Sequence, residues 1–202
     1  SDDVFIISHD DGLYSIGSTT LLPIHKLSNK YVVISTEPGV SFVSYKSQLA
    51  VAATVDNTTV SITFKMKINL PLDIGGNTYY SGDVFNFTLN RYETYQIAHE
   101  TDLTGTFIQS SAPIAAFSGN DCNKVENIGT CDHLIEQLPS TNSVDNAYIV
   151  PPNANNRGTL VRIMSLESSN TTFVIGNVTQ SLFLNKLDHF DVRISSNQTC
   201  FI

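Results

Sequence analysis

Two short runs of the chain contain the residue types used in nucleophilic catalysis. They are Ser8-His9-Asp10 and Cys131-Asp132-His133. A catalytic triad needs its three groups to meet in space, which adjacency along the chain does not provide. The sequence also has no phosphate-binding glycine loop, no His-Glu-x-x-His pair and no Gly-x-Ser-x-Gly elbow. We therefore predict that the chain is not an enzyme; a hydrolase that uses His9 or His133 is a distant alternative.

Acidic residues are the candidate ligands of a metal ion. Asp2-Asp3 and Asp10-Asp11 flank the first predicted strand, and Glu100 and Asp102 share a later loop. Calcium prefers carboxylate and carbonyl oxygens, but none of these groups has the Asp-x-Asp-x-Asp-Gly spacing of a calcium loop. Solvated acidic loops are the favoured interpretation, and we predict neither a metal site nor a cofactor.

Three cysteines indicate the compartment. Cys122 and Cys131 flank a glycine-containing segment, which is a natural place for a small disulfide loop. Two reduced thiols in a cytosolic protein are the alternative. Neither CxxC spacing nor neighbouring histidine ligands support a zinc site. Cys200 is left over, which predicts an intermolecular or out-of-chain partner, or a free thiol.

Five Asn-x-Ser/Thr sequons are the candidate glycosylation sites: Asn57, Asn86, Asn170, Asn177 and Asn197. Asn86 lies on the polar face of an alternating strand, and Asn57 and Asn170 occupy Asn-Thr-Thr turns. These placements and the cysteine pair predict a secreted, extracellular glycoprotein.

Composition excludes several classes of partner. The net charge is −8, with 11 Lys and Arg against 19 Asp and Glu, so no basic footprint for nucleic acid exists. No apolar run approaches the length of a membrane span. Tyr79 and Tyr80, in a turn-rich segment, are the candidate ligand contacts for a protein or a carbohydrate; strand-end tyrosines that anchor the loop are the alternative.

The elements that position these residues are predicted to be strands. Val60, Ile62, Phe64, Met66 and Ile68 alternate with polar residues, and the segments around Phe87 and Val192 repeat this pattern. Apolar runs at 49–55 and 113–118 predict more deeply buried strands, and turn signals separate them. No segment shows a helical stripe. The predicted fold is all-β, with antiparallel β-sandwich units.

An internal repeat divides the chain into tandem units. Four blocks recur in the same order: 21–35 and 136–152, the two Asn-Thr-Thr segments, 87–97 and 182–192, and 102–108 and 195–202. Two unrelated sheets with similar composition are the alternative. We predict a first sandwich unit at 18–120 and a second at 121–202, incomplete at its C-terminal end. Residues 1–17 would hold the terminal strand of a preceding unit, or a swapped strand.

The ends of the chain are out of phase with the repeat. Residues 4–8 stand before the first Leu-Pro block as residues 113–118 stand before the second. A sandwich that lacks a strand exposes a pairing edge and an apolar slot. We therefore expect another segment to fill the second unit: the start of this chain, a neighbouring chain or the remainder of a larger precursor.

Residues 102–140 resemble the signature of the N-terminal domain of the IgG Fc-binding protein family. The motif elements are Asp-Leu-Thr-Gly-Thr, a Pro-led apolar strand, Ser-Gly-x-x-Cys122, Cys131-Asp-His-Leu and Glu-Gln-Leu-Pro. The resemblance implies an extracellular, non-enzymatic module of mucus- and matrix-type glycoproteins, with Cys122 and Cys131 in a structural disulfide. Binding of antibody Fc belongs to one vertebrate member and does not transfer by motif.

Together these observations predict a binding or assembly module of a secreted glycoprotein. It would act through protein–protein contacts, as in adhesion or self-association, and through strand completion by another segment. The alternative is a lectin-like carbohydrate-binding module that uses Tyr79 and Tyr80. No nucleic acid and no membrane span are expected.

Overall fold

The computed structural model describes residues 4–11, 16–39, 44–67, 69–123, 131–152 and 158–202. These residues form β-strands and one short 3-10 helix, Ile24–Lys26, and contain no α-helix. The chain divides into two compact units, Ser1–Asn142 and Ser143–Ile202, which we call the N-terminal unit and the C-terminal unit. The prediction of an all-β, antiparallel fold is confirmed.

The strands of the N-terminal unit are β1 (Ile6–Asp11), β2 (Ile16–Leu21), β3 (Ser28–Val32), β4 (Ser47–Ala53), β5 (Thr58–Thr63), β6 (Leu72–Ile74), β7 (Asn77–Tyr79), β8 (Val84–Leu89), β9 (Thr94–His99), β10 (Phe107–Asn123) and β11 (Asp132–Gln137). Those of the C-terminal unit are β12 (Ile149–Val150), β13 (Thr159–Met164), β14 (Ser169–Ile175), β15 (Val178–Leu184), β16 (His189–Ile194) and β17 (Cys200–Phe201).

The long strand β10 organises the N-terminal unit because it changes partners along its length. Its first residues pair with β5 and β3. Residues Ile114–Asn120 pair with β4, and the last part of the strand pairs with β11. The register shifts between Gln109 and Ile114, around Pro113. Proline cannot donate to a ladder, so it occurs at such irregular positions in strands.

Both halves of β10 contribute to one hydrophobic core. Val60 and Ile62 of β5, Val51 of β4, and Ile108 and Ile114 of β10 are all buried in this cluster. Period-two alternation explains the burial: every second residue of β4 is buried, and those between are half-buried. The alternating prediction for residues 60–66 is confirmed by the same core, while Ile68 lies outside the described residues.

Hydroxyl groups are part of this core rather than only of its surface. Ser47 Oγ donates to Ser35 Oγ at 2.8 Å, and Ser35 Oγ donates to the Gly119 carbonyl at 2.8 Å. Thr104 Oγ1 donates to the Ser35 carbonyl at 3.0 Å. Buried polar groups are stable only when hydrogen-bonded, so this network accounts for serine and threonine at buried positions.

The C-terminal unit is smaller and has its own core. β12, β17, β14 and β15 form one antiparallel sheet, and β13 pairs with β16 in a second ladder. The core cluster consists of Ile163, Phe173, Leu184, Ile194 and Cys200. The limit between the compact units falls at 142/143, later than the predicted 120/121, because β10 continues through Asn123 and then pairs with β11. The predicted limits at 17 and 120, which follow the repeat, stay a prediction.

Candidate interaction site

The candidate nucleophilic and basic residues lie in different environments. The sulfur of Cys131 forms a disulfide with Cys122, so it is not available as a thiolate nucleophile. The His133 ring packs against the backbone of Gly17 in β2. His9 is exposed on β1. Because Ser8 and His9 are consecutive in a strand, their side chains point to opposite faces.

The Cys122–Cys131 disulfide links the end of β10 to the start of β11. The two Cα atoms are 5.3 Å apart, which is within the usual range for a disulfide. The pairing matches the prediction, and the intervening residues 124–130 lie outside the described part of the chain.

Cys200 is a free thiol and is fully buried in the core of the C-terminal unit. Burial raises the pKa of this thiol, since desolvation disfavours the thiolate. Its sulfur lies 3.7 Å from the Phe201 carbonyl oxygen. A partner outside the chain could reach this sulfur only after the core had opened, and that role stays a prediction.

The two candidate ligand-contact tyrosines have different environments. The Tyr79 ring packs edge-on against Phe64 and Phe85, with centroids 5.8 Å and 5.5 Å away. Tyr79 is therefore an anchor of the β6–β7 hairpin, as the alternative interpretation held. Tyr80 is 52% exposed, and its N–H donates to Asp83 Oδ2 at 2.7 Å.

All five sequon asparagines are exposed: Asn57, Asn86, Asn170, Asn177 and Asn197. Asn86 lies on β8 opposite Ser61 of β5. A shallow cavity of about 560 Å³ lies there, lined by hydroxyl and amide side chains that include Thr59, Gln109 and Ser111. No charged side chain lines it, so it offers hydrogen bonding without acid–base groups.

A second cavity, of about 180 Å³, lies over the sheet near β10 and β11. Leu49, Phe117, Asn120 and His133 are among its lining residues. Among the described residues, no three His, Cys, Asp or Glu side chains are grouped so as to hold a metal ion. Asp2 and Asp3 lie outside those residues. Neither cavity brings together groups with a shared chemical task.

The feature with the clearest capacity for interaction is an open strand edge. Within the described part of the chain, β13 pairs with β16 on one side and has no strand on its other side. Val161 and Val192 pack against the core beside it and are only half-buried. Unpaired N–H and C=O groups along an edge are a template for another strand. The cysteines, sequons and tyrosines do not lie at this edge.

A close ion pair joins the two strands of this ladder. Arg162 on β13 donates to Asp191 on β16 through Nε and Nη2, each at 2.7 Å from a carboxylate oxygen. The hydrogen bonds from Arg162 lower the pKa of the Asp191 carboxyl, and desolvation opposes them in part. The pair fixes the β13–β16 register and satisfies both charges within the ladder.

Large apolar side chains are also exposed on the C-terminal unit. Ile149, Phe183 and Phe201 are 67%, 60% and 51% exposed. Ile149 lies opposite Phe201 across the β12–β17 pair. Contiguous exposed apolar groups mark interaction surfaces, so this unit combines an open edge with apolar surface. In the described residues, no helix is both long and apolar enough to cross a membrane.

Comparison with known proteins gives the family. The family model described as IgGFc binding protein matches residues 17–202. The human IgGFc-binding protein is 33% identical over 180 residues, which is 88% of this chain and 3% of that protein. The chain thus spans a small part of the length of this relative. No solved structure matches the chain. On this match, which covers most of its length, the chain belongs to the IgGFc-binding protein family.

Proposed function

We propose that this chain is a non-enzymatic extracellular module of a mucus- or matrix-type secreted glycoprotein. It acts in binding and assembly, through protein–protein contacts and by accepting a strand from another segment. The human relative is named for binding IgG Fc, which favours a protein as the ligand. The observation that carries the proposal is the open edge of β13 beside a half-buried core.

The two units share one pattern of strand pairing, which supports a tandem repeat of β-sandwich units. In the N-terminal unit β4 pairs with β9, β5 with β8, and β10 with both β5 and β3. In the C-terminal unit β13 pairs with β16, β14 with β15, and β17 with both β14 and β12. Strands of the same order in the sequence repeat occupy the same places.

One turn has the same backbone hydrogen bond in both units. Tyr92 N–H donates to the Ala53 carbonyl at 3.0 Å, and Leu187 N–H donates to the Ser165 carbonyl at 2.7 Å. Tyr92 and Leu187 have φ angles of 71° and 62°. Positive φ is uncommon for residues with bulky side chains, so its recurrence at matching positions favours duplication over coincidence.

The pattern differs at one place. In the N-terminal unit, Ile114–Asn120 of β10 pairs with β4 on the side away from β9. The corresponding side of β13 has no strand among the described residues. We infer that a strand from elsewhere occupies it in the assembled protein.

Burial at matching positions fits this difference. Leu49 and Ile97 of the N-terminal unit are 1% and 4% exposed. Val161 and Val192, which occupy the matching places in β13 and β16, are half-buried. Burying apolar surface contributes roughly 25 cal/mol per Å², so a strand placed along β13 would gain free energy from side chains as well as from the backbone.

Adding a strand in trans tests this function. The probe is a peptide of residues 113–120, the segment that β4 accepts within the N-terminal unit, and the control is a peptide with these residues scrambled. We expect the probe to slow amide exchange in β13 by about tenfold or more, because new hydrogen bonds protect those amides. If exchange in β13 is the same with both peptides, the edge does not accept strands and the proposed function is wrong.

The extracellular assignment draws on independent features. Cys122 and Cys131 form a disulfide, a bond that persists in oxidising compartments. The exposed sequons are accessible to the glycosylation machinery, and human IgGFc-binding protein is similar over most of this chain. The lectin-like alternative has less support, since Tyr79 is committed to the hairpin core. Tyr79→Ala would then lower stability rather than remove only a sugar contact.

A further inference from the structure

We propose that the N-linked glycan of Asn86 lies back across β8, β5 and β10 and is held in the uncharged cavity there, here called the polar trough. Besides Asn86, the polar residues that line the trough on the outer face of these strands are Thr59, Ser61, Thr88, Gln109 and Ser111. This inference goes beyond the binding role and rests only on the extracellular part of the proposed function, since N-glycans are typical of secreted chains.

Strand register places Asn86 at one end of a row of polar side chains. Asn86 lies opposite Ser61 of β5, and Ser61 lies opposite Gln109 of β10. Neighbouring strands are roughly 4.8 Å apart, so Gln109 lies about 10 Å from Asn86 along this row. A short chain of sugars that lies flat on the sheet covers such a distance. Because β8 is the end strand of this sheet among the described strands, the row runs inward from the glycosylation site.

A second row runs beside the first on the same face, because residues two apart in a strand share a face. Thr88 of β8 lies opposite Thr59 of β5. The Thr59 N–H donates to Ser111 Oγ at 2.9 Å, which places this hydroxyl at the β10 end of the second row. The trough formed by the two rows has a volume of about 560 Å³, which is within the usual range of small-molecule sites.

The side chains of the first row have hydrogen-bonding capacity that is not used within the chain. Among the described residues, the side chains of Ser61, Asn86 and Gln109 form no hydrogen bond with protein groups. Facing hydroxyls elsewhere bond to each other: the side-chain oxygens of Thr172 and Ser181, on β14 and β15, are 2.7 Å apart. Amide and hydroxyl groups both donate and accept, so those of the trough complement the hydroxyl and acetamido groups of a glycan.

This polar surface is not a general property of the outward face of the N-terminal unit. Further along β10, Ala115 lies opposite Ala52 of β4, and Phe117 lies opposite Ala50. These four residues lie on the face opposite to the core and are half-buried. The polar rows are therefore confined to the part of the sheet that carries Asn86, as a binding surface for its glycan requires.

A tethered glycan suits the trough better than a free ligand does. Sites for free small molecules are mostly apolar. The aromatic rings of β8, those of Phe85 and Phe87, instead pack on the core side, with centroids 5.1 Å apart. A free sugar would bury little apolar surface in the trough and would lose its translational freedom. A glycan joined to Asn86 binds intramolecularly, so a few weak hydrogen bonds are enough to hold it.

The occupancy of Asn86 is measured first, by mass spectrometry of glycopeptides from the natural protein. We expect Asn86 to carry a glycan. If Asn86 is bare while other sequons are occupied, this inference is overturned and the proposed function stands. If no sequon is occupied, the extracellular part of the proposed function is contradicted as well.

Binding in the trough is measured with an endoglycosidase that cleaves between the first two sugars of a glycan. The folded protein is compared with the isolated Asn86 glycopeptide. We expect cleavage at Asn86 to be at least about tenfold slower in the folded protein, because a held glycan is accessible only when it leaves the trough. Gln109→Met removes the amide at nearly constant size and leaves every sequon intact, and we expect it to speed cleavage about fivefold, the effect of roughly one hydrogen bond.

Gln180→Met is the matched control for Gln109→Met. Gln180 is exposed on β15 and does not line the trough, so this variant should change cleavage at Asn86 by less than about twofold. Equal rates for the folded protein and the glycopeptide, or equal acceleration by Gln109→Met and Gln180→Met, would overturn the inference. Neither result affects the proposed function, which the peptide of residues 113–120 tests separately at β13.

Discussion

At the scale of single residues, the Arg162–Asp191 pair gives a pH-dependent prediction. Arg162 holds the pKa of the Asp191 carboxyl below its usual value, so this carboxylate stabilises the fold above the unfolded pKa. That contribution is lost as pH falls through the lowered folded pKa. We expect Asp191→Asn to reduce the free energy of unfolding by about 1 kcal/mol at neutral pH. The deficit should disappear in acid, where the parent chain is also protonated.

The control for this pair is another ion pair in the same unit. Lys186 and Glu167 are 57% and 77% exposed, and exposed pairs contribute little. Glu167→Gln should therefore change the free energy of unfolding by no more than about 0.5 kcal/mol. Urea titrations at several pH values measure both variants. An Asp191→Asn deficit that stayed constant down to strongly acid pH would contradict the assigned role of the carboxylate.

At the scale of elements, the approach of β11 to β10 depends on the absence of a side chain at Gly119. A Cβ atom there would lie 1.8 Å from the Leu134 carbonyl oxygen in β11. Gly119→Ala must push the two strands apart, and we expect it to cost roughly 2–4 kcal/mol. Thermal unfolding, or the urea midpoint, measures the loss.

Gly75 is the matched glycine for this prediction. It lies in the β6–β7 turn with φ of 57°, and a Cβ there would meet no atom within 4 Å. Asparagine tolerates this left-handed conformation, so Gly75→Asn should cost less than about 1 kcal/mol. Equal losses for Gly119→Ala and Gly75→Asn would show that the β10–β11 spacing is not set by Gly119.

The positions of the strands were easier to predict from the sequence than the pairing between them. Val60, Ile62, Phe64 and Met66 are all buried, as their alternation predicts. The sequence pattern did not predict that β10 is one 17-residue strand. A proline such as Pro113 is typical of a break between two shorter strands. The alternating apolar residues of β16 are only partly buried. Alternation predicts which face of a strand is apolar, but not whether another element covers that face. Coverage depends on long-range pairing.

The candidate site was predictable in kind but not in position. The repeated blocks in the sequence predict an uncovered strand edge in the second unit, and β13 has an open side among the described strands. The residues whose amides face that side follow from the backbone hydrogen bonds that Ser165 forms with Asp188 and Leu187, which composition and spacing do not encode. Tyr79 shows another limit of prediction from sequence. The sequence places this residue in a turn-rich segment, whereas in the structure its ring packs against Phe85.

At the scale of the whole molecule, we predict that a glycan on Asn170 limits the apolar surface that stays open for contact. Asn170 on β14 lies directly opposite Phe183 on β15, and both side chains are exposed on the same face. Paired residues on one face lie within reach of each other, so a glycan on Asn170 would cover the Phe183 ring. We therefore predict that Asn170 is occupied and that its glycan shields Phe183.

Asn170→Gln tests this shielding, with Asn177→Gln as its control. Asn177 lies in the β14–β15 turn, at the opposite end of the hairpin from Phe183. Each variant should lose one glycan by mass spectrometry if its site is occupied. Only Asn170→Gln should increase binding of an apolar dye, because a newly exposed aromatic group joins Ile149 and Phe201 as open apolar surface. The double variant Asn170→Gln/Phe183→Ser should return dye binding to the parent level. Dye binding that rose equally in Asn177→Gln would instead assign the effect to general loss of glycan, and Phe183 would then belong to the surface that is open for assembly.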